Sequence, residues 1–368
     1  MRLKDEITIR TGEQRYPVIF DNHKEYLRKA VGNDSHVIVV SNPTVYALHG
    51  QSFIRQMLPR RSPVTPVMIG DGEQYKTQTT VNRLYGQFLD IGMGRNDVVI
   101  AFGGGVVGDT AGYAAATYMR GIRLIQAPTT LLAMVDSSVG GKVGINHRQG
   151  KNLIGAFHQP QAVVIEPEWL ITLSQQDLIS GMGEIIKTAF ISSPAFLRQM
   201  CNISPDKILS DMTQIRKLIQ MSLIVKGAVV WMDARDRGIR AILNFGHTFA
   251  HAIERVDGYG RYRHGEAVLA GMAGALFLSR RSGYLAQSAL NECLATLAPF
   301  VAAFKPLKSS ARDYLLAMSV DKKVRNRRKV FILLQAAGKP VVRTVASDSM
   351  ILGAIDQMME FINSRRRR

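Results

Sequence analysis

Between Asn244 and Glu266 the chain reads NFGHTFAHAIERVDGYGRYRHGE, and His247, His251 and His264, three of its eight histidines, fall within eighteen positions. Imidazole nitrogen suits a zinc-class ion, and a catalytic site of that kind commonly takes three protein ligands and leaves one position open. The small and apolar residues from Ile242 to Ile253 allow a helix, which would put His247 and His251 four apart on one face. Gly258 and Gly260 then break it. The turn they permit lets His264, at the head of the apolar run Ala267 to Leu278, fold back beside that face. Two or three imidazoles would converge, and a carboxylate would complete a metal set. The competing reading of an HxxxH pair is a helix whose histidines are only packed or solvated, so support must come from elsewhere in the chain.

The second half offers such support. In GMGEIIKTAF, Glu184 and Lys187 are three apart and share a helix face, which makes Glu184 the candidate metal carboxylate. A surface ion pair is the alternative, although the small apolar surroundings favour partial burial. Lys226 lies inside the apolar helical stretch LIQMSLIVKGAVV, and Arg240 stands four residues before Asn244. Cations in apolar helices need an anion.

The first half alternates strands with helical stretches. ITIR at 7–10, HVIVVSNP at 36–43 and VMIGDGEQYK at 67–76 read as strands, the last followed by helical spacing from Thr79 to Leu89. In open parallel sheets ligands bind at the carboxyl ends of strands, so Asp71, Glu73 and Lys76 are ribose- or cation-pairing candidates, with turn chemistry the alternative. DVVIAF at 97–102 runs into GGGVVGD and then the small-residue helix AGYAAATYM. This strand, glycine turn and helix is suited to a pyrophosphate, because glycines let backbone approach phosphate and the helix start supplies unpaired N–H groups. Its spacing departs from GxGxxG. IRLIQAP at 122–128 ends at Thr129 and Thr130. The polar, glycine-rich passage after it holds Asp136, Lys142, Asn146, Lys151 and Asn152, and Gly140, Gly141 and Gly144 suggest a tight hairpin presenting Lys142. After AVVIEP at 162–167 long helical patterns dominate, broken late by the strand KVFILLQ at 329–335 and followed by a helix from Ser347 to Asn363. We expect an α/β domain over 1–172 and a mainly helical domain over 173–368.

The 368 residues are 46% hydrophobic and 21% charged, enough for two cores and unlike a disordered chain. Two cysteines cannot build a disulfide framework, and no apolar segment follows MRLKDE as a signal peptide would, so a cytoplasmic enzyme is expected. The longest uncharged stretch, Ala267 to Ser279, is shorter than the ~20 residues a membrane span needs. The formal charge is +18, of which KKVRNRRK at 322–329 and the terminal Arg365–Arg368 supply ten. No aromatic residue is interleaved to stack bases, so scattered cations suit small anionic substrates better than nucleic acid.

These motifs together resemble the 3-dehydroquinate synthases, members of the sugar phosphate cyclase superfamily. GDGEQYKT, GGGVVGD, AAATYMRG, APTTLLAMVDSSVGGKVGIN, GKNLIGAF, GEIIK, GIRAILNFGHT, HAIE, RHGEAV and DKKV stand in that family's order from residue 70 to 324. Met134, Val143, His158 and Ala250 depart from the usual glutamine, threonine, tyrosine and glycine. None of these changes removes a charged or metal-binding residue. The resemblance implies a Rossmann-like NAD-binding domain with a parallel sheet, a mainly α-helical second domain, an active site in the cleft and a homodimer. It implies one divalent metal, zinc or cobalt, on Glu184, His247 and His264. NAD contacts would be Asp71, Gly72, Glu73, Gln74, Tyr75, Lys76, Gly105, Val106, Val107, Gly108, Asp109, Thr129 and Thr130, with Lys142 and Lys151 closing over nicotinamide and sugar. Substrate contacts would be Asp136, Lys142, Lys151, Asn152, Lys187, Lys226, Arg240, Asn244, His251 and one of Lys322 or Lys323, with Arg120 reaching in from the partner subunit. The implied substrate is 3-deoxy-arabino-heptulosonate 7-phosphate. Rival readings are another sugar phosphate cyclase, such as one forming an inosose from glucose 6-phosphate, a metal-dependent alcohol or glycerol dehydrogenase, and a non-catalytic binding protein.

Overall fold

The computed structural model describes residues 3–12, 14–21, 23–32, 35–58, 62–201, 203–302, 304–319, 329–345 and 347–364. Lys322, Lys323 and Arg365–Arg368 lie outside the described residues. Two compact units form, one from Met1–Leu173 with Met212–Arg235, the other from Ser174–Asp211 with Asp236–Arg368. The helices that matter below are α1 (Gln78–Asp90), α2 (Gly105–Thr117), α3 (Gln175–Ser192), α4 (Met212–Met232), α5 (His247–Val256), α6 (His264–Arg281) and α7 (Asp348–Ser364).

The strands of the first unit are β1 (Glu6–Thr11), β2 (Gln14–Ile19), β3 (Val37–Ser41), β4 (Val64–Met68), β5 (Val98–Gly103), β6 (Arg123–Pro128), β7 (Lys142–His147), β8 (Gly150–Phe157) and β9 (Ala162–Val164). Seven of them make one sheet in the order β1-β2-β9-β6-β5-β3-β4, antiparallel only between β1 and β2. β3, β5 and β9 are buried at every residue, which explains why VIVVS, VVIAFG and AVV are apolar runs without alternation: parallel strands are covered on both faces. Val81, Leu84 and Phe88 of α1 and Val107, Ala111 and Ala114 of α2 close a core over Ile38, Val40 and Val99. The small residues of α2 let it lie close to the β7–β8 hairpin, where a Cβ at Gly112 would stand 2.4 Å from Val143.

Two expectations change here. A boundary at 172 placed every later helix in the second domain, yet α4 packs on β1 of the first unit. Its Gly227 comes so near Ile9 that a Cβ would stand 2.8 Å from the isoleucine side chain. Apolar spacing along a helix identifies its buried face but not the sheet that face will meet. The hairpin expected at Gly140–Gly144 turns instead between His147 and Gly150, with β7 paired antiparallel to β8. Gly140 and Gly141 adopt positive φ of 98° and 69°, bending the chain before β7 begins at Lys142.

In the second unit α6 is the central helix, buried at nearly every position from Gly265 to Leu276 and packed by α3, α5 and α7. Two crossings bring backbones together. A Cβ on Gly265 would lie 1.8 Å from the Ser180 carbonyl oxygen of α3, and one on Gly183 would lie 2.5 Å from the Gly265 carbonyl oxygen. On the other side, a Cβ on Gly271 would lie 2.2 Å from the carbonyl oxygen of Gly246, just ahead of α5. The strands β10 (Lys329–Ala336) and β11 (Lys339–Val345) form a hairpin, of which only β10 was expected from sequence. Leu334 N–H donates to Ser279 Oγ of α6 at 3.0 Å.

Gly265→Ala should therefore force α3 and α6 apart, costing about 1–3 kcal/mol as an overpacked contact. Calorimetry should show a lower unfolding temperature, and an unchanged one would mean the crossing is looser than described.

Candidate active site

Glu184 sits in the middle of α3, while His247 and His264 are the first residues of α5 and α6. The helix expected from Ile242 begins only at His247. Ile239–Asn244 is a 3₁₀ turn and Gly246 takes a left-handed φ of 80°, a conformation that ends one element and starts the next. Gly258 and Gly260 do break the chain after α5, with φ of 93° and 96°. The loop they make is held at Asp257, whose carboxylate accepts from Tyr314 Oη at 2.9 Å, Tyr262 Oη at 3.3 Å and Ser309 Oγ at 2.8 Å. Burial, followed by the Asp257 contact, pushes the Tyr314 hydroxyl pKa up, so it stays a donor. At the far end of the loop, Glu266 Oε2 accepts from the Arg263 backbone N–H at 2.7 Å and Gly265 N–H donates to Ser180 Oγ at 3.0 Å. Tied at both ends, the loop fixes where His264 begins α6.

Glu184, His247 and His264 each turn one ligand atom inward, and these atoms lie within 4.8 Å of one another. Glu184 Oε1 stands 3.6 Å from His247 Nε2 and 3.9 Å from His264 Nε2. Ligands at about 2.1 Å around a tetrahedral ion are roughly 3.4 Å apart, so little contraction is needed. The other nitrogen of each ring faces an acceptor. His247 Nδ1 faces the Phe245 carbonyl oxygen at 3.3 Å and His264 Nδ1 faces Glu254 Oε1 at 3.5 Å. Both partners can only accept, so a proton on each Nδ1 would be held there, and that tautomer would leave each Nε2 lone pair free for a cation. Glu184 Oε1 is buried and has no hydrogen-bond partner among the described residues. With both rings in that tautomer, three electron-pair donors would face one another, an arrangement that a cation relieves. Lys187, also buried, donates to the other oxygen of Glu184, Oε2, leaving Oε1 for the metal position. His251 is exposed one turn along α5, its ring centre 5.7 Å from that of His247. Arg240 is buried in the 3₁₀ turn and Asn244 ends it half-buried.

The first unit assembles a second group. GGGVVGD spans the end of β5 and the start of α2, whose N-cap Gly104 supplies no side-chain cap. Val106 and Gly108 are half-buried and Val107 is buried against the sheet. The first N–H groups of α2 therefore suit an anion, and the turn lies so near Thr130 and Ser137 that a Cβ on Gly104 or Gly105 would come within 3.0 and 3.2 Å of them. These features fit the phosphates of a dinucleotide. Asp71, Gly72, Gln74 and Tyr75 are exposed on the turn after β4, and the Thr129 hydroxyl is buried at the end of β6.

Lys76 is buried, and its Nζ donates at 2.5 Å to both Asp109 Oδ2 and Asn152 Oδ1. Asn152 N–H donates to Asn146 Oδ1 at 2.9 Å, and Asn146 Nδ2 donates to Glu73 Oε1 at 2.7 Å. This ring pins the β7–β8 hairpin, with exposed Lys142 and half-buried Lys151, to the turn after β4 and the start of α2. Burial pushes the Asp109 carboxyl pKa up while Lys76 opposes the shift. Lys226 of α4 finds the anion its burial demands: Nζ donates to both Oδ1 and the backbone oxygen of Asp136 at 2.5 Å. Arg120 is exposed after Met119, both at positive φ of 68° and 47°. Lys323 lies outside the described residues. Sequence reasoning missed Glu254 and Asp257 as supports, and named Asn146 without its linking role. The only signal was their place inside HAIE, RVDGYG and VGIN.

An α/β unit with a glycine turn opening a helix, joined in one chain to a helical unit carrying a Glu-His-His cation site, defines a class of metal-assisted enzymes built on a nucleotide-binding fold. The family model described as 3-dehydroquinate synthase N-terminal matches residues 66–180, and the one described as 3-dehydroquinate synthase C-terminal matches 181–324. A 3-dehydroquinate synthase of Geotalea uraniireducens is 39% identical over 95% of this chain and 98% of its own. Among solved structures, a 2-deoxy-scyllo-inosose synthase complexed with carbaglucose-6-phosphate, NAD+ and Co2+ superposes with a TM-score of 0.82 at 25% identity, covering 96% of this chain and 99% of that one. The 2-epi-5-epi-valiolone synthase of Streptomyces hygroscopicus, with NAD+ and Zn2+ bound, shares the fold with a TM-score of 0.85 at 23% identity, covering 98% and 99%. The chain belongs to the 3-dehydroquinate synthase family.

Lys76→Met should leave Asp109 charged and partly buried without its cation. The expected loss is about 1–3 kcal/mol near neutral pH, discounted for the residual exposure of the carboxylate. The folded-state pKa of Asp109 is raised, so the deficit should shrink as pH falls through it and Asp109 gains a proton. Urea unfolding of both proteins from about pH 8 down to about pH 4 checks this. A pH-independent difference would show that the ring is not held by that charge.

Proposed function

We propose that this chain converts 3-deoxy-D-arabino-heptulosonate 7-phosphate to 3-dehydroquinate and phosphate, a phosphate-eliminating carbon–oxygen lyase reaction, with NAD and one divalent metal as cofactors. The observation that carries the reading is the convergence of Glu184 Oε1, His247 Nε2 and His264 Nε2 in a chain of this family. Oxidation at carbon 5 of the substrate makes the neighbouring C–H acidic. Phosphate can then leave by elimination, carbon 5 is reduced again, and the opened ring recloses by an internal aldol. When bound, NAD would take up and return the electrons at carbon 5, and zinc or cobalt would act as Lewis acid toward its hydroxyl.

The chain's own residues prepare these steps. Lys187 neutralises one oxygen of Glu184 and keeps the other aimed at the metal position. The N–H groups opening α2, with Asp71 to Lys76, Gly105 to Asp109, Thr129 and Thr130, hold the dinucleotide. Asp136, Lys142, Lys151, Asn152, Lys187, Lys226, Arg240, Asn244, His251 and Lys323 serve the substrate, whose carboxylate and phosphate account for so many cations. The exposed Arg120 acts across a homodimer on the partner's substrate. No helix among the described residues is long and apolar enough to cross a membrane, and the substrate is a small polar metabolite. Transient oxidation separates this reading from that of an alcohol dehydrogenase, which consumes NAD with each turnover.

Incubation of the metal-loaded protein with the heptulosonate phosphate should release one phosphate per product formed. A deuterium at carbon 5 should remain in the product, with reduced cofactor staying far below product. Chelation should stop turnover. Accumulation of one reduced NAD per turnover, or absence of phosphate release with metal and NAD both bound, would reject this function.

A further inference from the structure

Glu254 lies in the last turn of α5, where the exposed carbonyls of the helix make a negative charge unfavourable. It is also buried, which adds the cost of removing a carboxylate from water. A residue placed against both effects needs a compensating contact, and its Oε1 stands 3.5 Å from His264 Nδ1. His247, His251 and Glu254 follow one another at spacings of four and three, so one stripe of α5 carries a metal ligand at its start and this carboxylate at its end.

We propose that Glu254 is a positioning residue that holds His264 in its ligating orientation and tautomer. The inference rests on the metal site proposed above. The two histidines are steadied differently. His247 turns its Nδ1 to the carbonyl of Phe245, a backbone group only two residues away that no side-chain substitution removes. His264 is only partly buried, stands 3.9 Å from Glu184 Oε1, and turns its Nδ1 to a side chain from another helix. The Glu254 carboxylate fixes the Nδ1–H tautomer, keeps the Nε2 lone pair directed at Glu184 and strengthens the imidazole as a donor.

The test is cobalt binding to Glu254→Gln and Glu254→Ala proteins, measured by competition with a chromogenic chelator and by the visible bands of the bound ion. Glutamine can still accept from Nδ1–H but lacks the charge, whereas alanine removes both. Affinity should fall about 10-fold for Gln and up to about 100-fold for Ala, and the cobalt bands should shift in the same order as His264 loses its orientation. If Glu254 were only a core residue, both variants would unfold at lower temperature while affinity and bands matched wild type, and the proposal would be overturned. Should the alanine protein not fold, the near-isosteric glutamine protein decides alone by the same two readouts. Failure of the wild-type protein to bind cobalt at one per chain would overturn the metal site itself, a result distinguishable from equal binding by wild type and variants.

Discussion

Close approach of backbones is the constraint on which the second unit depends. Gly265 sits so tightly against Ser180 and Gly183, and Gly271 against Gly246, that no side chain fits at either crossing. Helices usually pack at 8–10 Å between axes because side chains separate them, and small residues let these come nearer. Glu184 lies one residue after Gly183, His264 one before Gly265 and His247 one after Gly246. Each ligand thus neighbours a glycine that sets a close approach, and the metal position follows from this packing together with the tied loop that sets the start of α6. Side chains on packed helices are held more firmly than side chains on loops, as ligand geometry requires.

The first unit solves a different problem with similar means. Its buried parallel strands feed a glycine turn into the uncapped start of α2, so the same backbone groups that a capped helix would satisfy internally remain available to an anion. The ring through Lys76, Asp109, Asn152, Asn146 and Glu73 then couples that turn to the β7–β8 hairpin. Its bonds join the turn after β4, the start of α2 and the hairpin. Lysines on the hairpin are thereby held to the same frame as the candidate cofactor turn.

Much of this was readable in the sequence because it depends on local rules. Buried strands show as apolar runs, the glycine turn follows its strand directly, and His247, with His264 beyond a glycine break, did converge with Glu184, while His251 four residues on stayed outside that set. What could not be read depends on tertiary partners. Nothing in the apolar stretch around Lys226 says that α4 returns to the first unit, or that Asp136 is its anion. The start of α5 at His247 was hidden because Ile242 and Leu243 suit a helix, while Gly246 can equally continue one weakly or end it. Gly140 and Gly141 signal a bend, but their spacing does not say whether the hairpin turns there or seven residues later. Glu254 shared the helical spacing of His247 and His251, but nothing in the sequence named its partner. Its meaning appears only when another helix brings His264 beside it.

The central claim is that helix crossings in the second unit create one cation position with three protein ligands. Anomalous diffraction at the cobalt edge, from crystals of the protein grown with cobalt, tests it most directly. A single strong peak per chain should lie within bonding distance, about 2.0–2.2 Å, of Glu184 Oε1, His247 Nε2 and His264 Nε2. A peak ligated by other residues, or density at this position explained by water alone in fully cobalt-loaded protein, would contradict it.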